Sequence, residues 1–266
     1  MSDHSARGQL NPRSAEVYES FFVPALFAEW SPRVLEAASV EPGHRVVDVA
    51  CGTGILARTA ADRTDNPSNI TGIDINDGML AVARQKAPDI NWVLGAAENL
   101  PLENESVDRA VSQFGIMFFE DRVKALQEML RVLKPGGRLA VAVWDRAEHS
   151  PGYQTMIQLL ERLFGREVAD ALRAPFNMGD TSIIDALCRE AIPGKVTIQT
   201  LEGTARFGSL DDWLHSDVKG WTLAVLIDDD QFAELRKQAP EALKAYVADD
   251  GSVAFPAPAH IFSAVK

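Results

Sequence analysis

VVDVACGTGILA, residues 46 to 57, is the stretch on which the fold turns. An apolar run carries one aspartate, Asp48, and ends in two glycines two residues apart, Gly52 and Gly54. The apolar run predicts a buried strand. Glycines straight after it predict a turn that bends sharply or lets the backbone approach something closely. A helix is expected from about Ile55 to Ala61.

The same alternation repeats outward from this unit. ITGIDI (70–75) reads as a second strand and is followed by a helix from Asp77 to Ala87. INWVLGA (90–96) is a third strand and DRAVSQF (108–114) a fourth. Val123, Leu126, Met129, Leu130 and Leu133 recur at helical spacing, which predicts a helix from Asp121 to Leu133. KPGG (134–137) is expected to stop that helix and turn the chain into a fifth strand, RLAVAVW (138–144). Strand and helix alternating five times predict an α/β chain with a parallel sheet and helices on both faces.

Beyond Asp145 the period changes. Helices are expected over 151–164, 166–173 and 181–191, and KVTIQTLEG (195–203) as a strand. A helical insertion over about 209–247 then precedes a closing strand, HIFSAVK (260–266). Ahead of the core, residues 1–13 read as a loose tail, and Ser14 to Ser39 as short helices broken at Pro24 and Pro32. The chain thus divides into a tail and helical lid (1–39), a ligand-binding core (40–145), and the remaining strands with a helical cap (146–266).

Composition narrows the function. The 266 residues carry a formal net charge of −12, which disfavours a nucleic-acid partner or an anionic lipid surface, since both need clustered Lys and Arg. Two cysteines, Cys51 and Cys188, argue for a reducing, cytoplasmic setting rather than a disulfide framework. The polar opening MSDHSARGQLNPRS does not read as a signal peptide. No apolar run approaches the roughly 18 residues of a membrane span. No His, Cys and carboxylate cluster has metal-ligand spacing, so no metal is expected.

In an open parallel sheet, ligands sit at the carboxyl ends of the strands, near the point where strand order reverses. Gly52, Gly54 and Ala57 match G-x-G-x-x-A, and Asp74 ends the second strand where an acid would meet a ribose. This pattern alone suits NAD, FAD or S-adenosylmethionine. Asp48 separates them. A pyrophosphate on the turn would be repelled by a carboxylate there. S-adenosylmethionine has no phosphate; it has an ammonium group and a cationic sulfur, and an acid beside the turn can hold the ammonium.

VVDVACGTG, GIDINDGML, GAAENLPLENESVDRAV and RVLKPGGRLAVAVW together resemble the class I S-adenosylmethionine-dependent methyltransferases. The resemblance is nearest to the type 11 group, which includes the ubiquinone/menaquinone C-methyltransferases, and it covers roughly residues 40 to 145. It implies a Rossmann-like, doubly wound, mostly parallel seven-stranded sheet, with S-adenosylmethionine as cofactor and S-adenosylhomocysteine as product. By resemblance, Gly52, Thr53 and Gly54 would form the cofactor turn, and Asp74 would accept hydrogen bonds from both ribose hydroxyls. Ile75 and Met79 would pack on the adenine, Ala97 and Glu98 would lie at its edge, and Gln113 and Phe114 by the sulfonium. Many relatives carry an acid where this chain has Ala96, so Glu98 is the residue left to meet the adenine amino group.

Methyl transfer is an in-line displacement in which alignment supplies much of the rate. O- and C-methylation often also need a base. His149 and Asp145, just past the fifth strand, are the candidates, with His215 and His260 behind them. The fourth strand ends SQFG, not the Asn/Asp-Pro-Pro-aromatic motif of enzymes that methylate planar nitrogens. Tyr18, Phe22, Trp30, Phe118, Phe119 and Met178 are candidate pocket residues, and an apolar lining would suit an apolar or aromatic small-molecule acceptor. The expectation is therefore a small-molecule methyltransferase, with homodimerisation left open. The alternatives are a non-catalytic protein that keeps the cofactor fold, or an NAD-dependent oxidoreductase.

Overall fold

The computed structural model describes residues 12–219 and 222–266. Most of the tail read over residues 1–13 lies outside the described residues. The chain opens with α1 (Pro12–Val17), a π-helical segment (Tyr18–Phe27) and α2 (Ser31–Ala37). Pro32 falls at the start of α2, but Pro24 breaks nothing: the π-helix runs through it. Phe22, Val23, Ala25, Leu26 and Phe27 are all buried there, and that burial outweighs the one backbone bond a proline cannot make.

The core then alternates as expected: β1 (Val46–Val49), α3 (Ile55–Thr64), β2 (Ile70–Asp74), α4 (Asp77–Lys86), β3 (Asn91–Leu94), β4 (Val107–Gln113), α5 (Arg122–Val132) and β5 (Leu133–Trp144). KPGG differs from its reading as a break between elements. Leu133 already pairs with Val107, and after an irregularity the ladder resumes with Arg109 opposite Arg138. The tetrapeptide is a bulge inside β5, with Gly136 in the left-handed region at φ +77°.

After β5 come α6 (Pro151–Phe164), α7 (Arg166–Arg173), α8 (Thr181–Ala191), β6 (Val196–Leu201) and β7 (Thr204–Phe207). The insertion holds α9 (Leu210–Lys219) and α10 (Asp229–Ala242), and β8 (Val253–Pro256) and β9 (Ala259–Val265) close the chain. Seven strands form one sheet in the order β3-β2-β1-β4-β5-β9-β6. β9 runs antiparallel to both its neighbours, and the other pairings are parallel. The sequence reading missed the separate antiparallel pair β7–β8, which brackets the insertion. Its strands are four residues each and carry no long alternating run. Their inward rings, Phe207 and Phe255, pack with Trp213 of α9, so the pair anchors the insertion through an aromatic cluster.

Strand order reverses between β1 and β4, and this places the carboxyl ends of β1, β2 and β4 around one crevice. Val46, Val47 and Val49 are fully buried in the middle of the sheet. Trp92 of β3 lies flat across β2: a Cβ on Gly72 would fall 2.3 Å from its ring, and one on Gly54 would meet the same ring at 2.3 Å. The glycine turn is thereby packed from behind by a side chain one strand away. Gly72→Ala should lower unfolding stability by about 1–3 kcal/mol through overpacking. Chemical denaturation checks this, and an unchanged midpoint would mean that Trp92 moves freely.

Candidate functional site

The crevice at the carboxyl ends of β1, β2 and β4 holds a cavity of about 200 Å³. Its floor is the turn after β1. Ala50, Gly52 and Gly54 all have positive φ (58°, 55° and 86°), and across the switch point Phe114 has φ +55°. For Ala50 and Phe114 this is strained backbone, concentrated where two strand ends face one ligand space. Gly115 is held just as tightly, since a Cβ there would fall 2.6 Å from Ala50 Cβ.

Asp74 fastens the turn. One carboxylate oxygen accepts from the Gly52 N–H at 2.8 Å, and the other from the Asn76 N–H at 2.8 Å. Its residue is 9% exposed, and burial raises its pKa against the pull of those amides. Each oxygen keeps a further lone pair, and the carboxylate lines the cavity. Ile75 follows it and is 52% exposed, an apolar side chain standing at the cavity wall with little protein over it. Met79 completes that side.

Asp48 lies deeper. It is 1% exposed, neither carboxylate oxygen has a hydrogen-bond partner, and it does not line the cavity. Burial pushes its pKa well above the usual carboxylate range; the nearby Ala57 amide pulls the other way without reaching hydrogen-bond geometry. Thr53 is buried too, and its hydroxyl also lacks a partner. Asp48, Thr53 and Gly54 therefore support the turn from within, while Gly52 lines the cavity.

The loop after β3 carries Ala97 and Glu98 into the cavity wall. It is pinned by a network that sequence reasoning did not foresee. Glu128 accepts from the Leu100 N–H at 2.9 Å, and Arg131 grips Glu128 and the Leu100 and Leu102 carbonyls. That guanidinium holds the Glu128 carboxyl below the usual range. Glu98 Oε1 accepts from the amides of Glu120 and Asp121, so Glu98 also ties the loop after β4 to the wall.

Gln113 joins the N-terminal helical segment to the sheet. Its amide nitrogen donates to the Phe27 carbonyl at 3.0 Å, and its carbonyl accepts from the Ser31 hydroxyl at 3.1 Å. Phe114 stacks on Trp144 with centroids 3.8 Å apart and meets Trp30 edge-on. Gln113, Phe114, Phe118 and Phe119 line the cavity. So does Tyr18, which the sequence placed among acceptor-pocket residues but which faces Gly52 and Asp74. Burial, then Asp74, raises the Tyr18 pKa, so its hydroxyl stays protonated.

The other candidates lie elsewhere. Trp30 and Met178 are core residues that line neither this cavity nor the next. His149 and Asp145 form a pair, Nδ1 to Oδ2 at 2.8 Å, outside both cavities. His260 also reaches Asp145, at 3.1 Å, and its Nε2 donates to the Gly179 carbonyl, which fixes the proton on that nitrogen. His215 packs near Phe21 and Phe232 in the insertion.

A second, smaller cavity lies behind the first. Phe22, Trp144, Tyr153, Leu172 and Phe176 line it, together with one acid, Asp217 of α9. Asp217 is 3% exposed, and burial pushes its carboxyl up to about 8. A carboxyl raised in the folded state binds more protons there than in the unfolded chain, so it costs stability as pH rises from about 4 to about 8. Asp217→Asn should remove that decline: thermal melts of the two forms should converge near pH 4 and separate toward pH 8, the variant being higher. Parallel melting curves across this range would place the carboxyl in contact with water.

The fold is the Rossmann-like, mostly parallel seven-stranded α/β fold of solved methyltransferases. Residues 47–141, from β1 into β5, match the family model described as "Methyltransferase domain". A demethylmenaquinone methyltransferase of Renibacterium salmoninarum is 38% identical over 122 residues, 46% of this chain and 50% of the relative. A ubiquinone/menaquinone biosynthesis C-methyltransferase of Bordetella avium is 34% identical over 161 residues, 58% of this chain and 63% of the relative. The chain spans about half the length of the first of these curated relatives. Among solved structures, the YcgJ protein of Bacillus subtilis superposes with a TM-score of 0.59 at 19% identity, over 90% of this chain and 98% of that one. Phosphoethanolamine N-methyltransferase 2 of Haemonchus contortus, in complex with S-adenosyl-L-methionine, gives 0.63 at 18% identity, over 99% of this chain and 59% of that one. Among the described residues, no helix is long and apolar enough to cross a membrane.

Proposed function

We propose that the protein is an S-adenosylmethionine-dependent methyltransferase acting on an apolar or aromatic small molecule. The observation that carries the reading is the charge of the first cavity. Asp74, Glu98 and Glu120 line it, and no Lys or Arg does among the described residues. Such a wall repels a pyrophosphate, which disfavours a dinucleotide, and attracts a ligand with a cationic sulfur and an ammonium. When bound, that cofactor supplies the electrophilic methyl group.

The residues present fit this ligand. Asp74 offers its spare lone pairs to a pair of neighbouring hydroxyls. Ile75 and Met79 give a flat ring an apolar bed. Asp48, unpartnered beneath the turn, adds negative potential once a cation draws its proton away. Phe114 and Gln113 stand where the fourth strand meets the N-terminal helical segment, whose Tyr18 helps to exclude water from the methyl group. Quinone-ring acceptors are consistent with the names of the sequence relatives, and an apolar acceptor with Phe118 and Phe119 in the wall.

Asp74→Ala should weaken S-adenosylhomocysteine binding by at least about tenfold, as expected when a charged hydrogen-bond acceptor is lost. Calorimetric titration of the folded variant against the wild type checks this. Unchanged affinity would move the cofactor away from the turn after β1.

A further inference from the structure

The second cavity holds a polar group with no assigned work. Asp217 Oδ2 makes no hydrogen bond to a described residue, although Asp217 is 3% exposed and lines the cavity. A buried polar atom without a partner costs free energy, and such atoms are few in folded proteins. The Trp213 indole, one turn back on α9, lies close enough to Asp217 to oppose the rise in its pKa, but its N–H stays outside hydrogen-bond geometry with any described residue, so neither group is satisfied. Among the described residues, no other charged side chain lines this cavity.

The cavity's place in the fold ties it to the methyl-transfer reading. Phe114 lines the first cavity and Trp144 the second, and the two rings stack at 3.8 Å with planes 7° apart. Tyr18 lines the first and Phe22, one turn on, the second. This stacked pair of rings stands between the two spaces. The free space behind it is about 30 Å³, room for one small polar group such as a hydroxyl.

We infer that this cavity is the inner end of the acceptor site, where Asp217 receives the hydroxyl of a neutral, ring-bearing acceptor. The inference rests on the methyltransferase reading for the word acceptor; the binding site itself does not. A neutral hydroxyl fits better than an amine. An ammonium would require an ionised Asp217, and both charges would have to be stripped of water among Phe22, Trp144, Tyr153 and Phe176. A protonated carboxyl gives and accepts one hydrogen bond each, which a hydroxyl matches. Asp217 is thus a specificity-determining residue: a site built to bond a hydroxyl rejects the analogue that lacks it.

The test uses the full chain saturated with S-adenosylhomocysteine and three probes: p-ethylphenol, its methyl ether and p-ethylbenzylamine. Calorimetry reads the affinities of wild type, Asp217→Leu and Ala171→Phe, with melting curves to verify folding. The phenol should bind about tenfold tighter than its ether, a difference the size of one net hydrogen bond. Asp217→Leu should fold, because an apolar side chain replaces a buried unpartnered acid, and should bring the ratio close to one. Ala171→Phe, which fills the cavity, should weaken both probes while leaving S-adenosylhomocysteine binding unchanged. A phenol preference that survives Asp217→Leu, a benzylamine that binds tightest, or a wild type that does not distinguish phenol from ether would each overturn the inference. Absence of S-adenosylhomocysteine binding would overturn the methyltransferase reading instead, and the probe series would then report on the cavity alone.

Discussion

The architecture of the site depends on one hydrogen bond, from the Gly52 N–H to the Asp74 carboxylate at 2.8 Å. It joins the turn after β1 to the end of β2 and holds the backbone open across Ala50, Gly52 and Gly54, all at positive φ. The Cys51 N–H bond to the Ile73 carbonyl, the Gly54 N–H bond to the Cys51 carbonyl and Trp92 packing from behind complete the turn. The cost of burying Asp74 is offset by two amides that favour its charged form. The same carboxylate then faces the cavity with lone pairs to spare, so the group that builds the turn also marks the ligand.

The remaining walls are secured in a similar way, by polar side chains that bridge elements. Gln113 fastens the π-helix and α2 to the end of β4. Glu98 links the loops after β3 and β4, and Glu128 with Arg131 pins the first of them. Lid, sheet and loops are therefore positioned by bonds that end at or beside the cavity. Behind them the aromatic pair Phe114–Trp144 divides one space from the other. Asp217, like Asp48, is a buried acid left without a partner: no described residue satisfies its Oδ2.

Much of this was legible in the sequence, and the reason is local. Val46 to Gly54 encodes strand and turn within nine consecutive positions, and β2, β4 and the helices between them follow strong periodicity. What was not legible depends on distant partners. Pro24 reads as a helix break until the buried face of the π-helix is seen. KPGG reads as a stop until Leu133 is found paired with Val107. β7 and β8 are four residues each, and they exist because Phe207 and Phe255 meet Trp213 across the chain. Tyr18 was legible as a pocket residue but not as a neighbour of Asp74, and nothing in the sequence around Asp217 marks it as buried.

The most direct test of the account is methyl transfer from radiolabelled S-adenosylmethionine into a fractionated metabolite extract, with S-adenosylhomocysteine as inhibitor. The account predicts label in a small, extractable molecule and its suppression by the inhibitor. Cofactor binding by calorimetry with no label in any fraction, across extracts from several growth conditions, would contradict it and leave a protein that keeps the cofactor fold without the transfer.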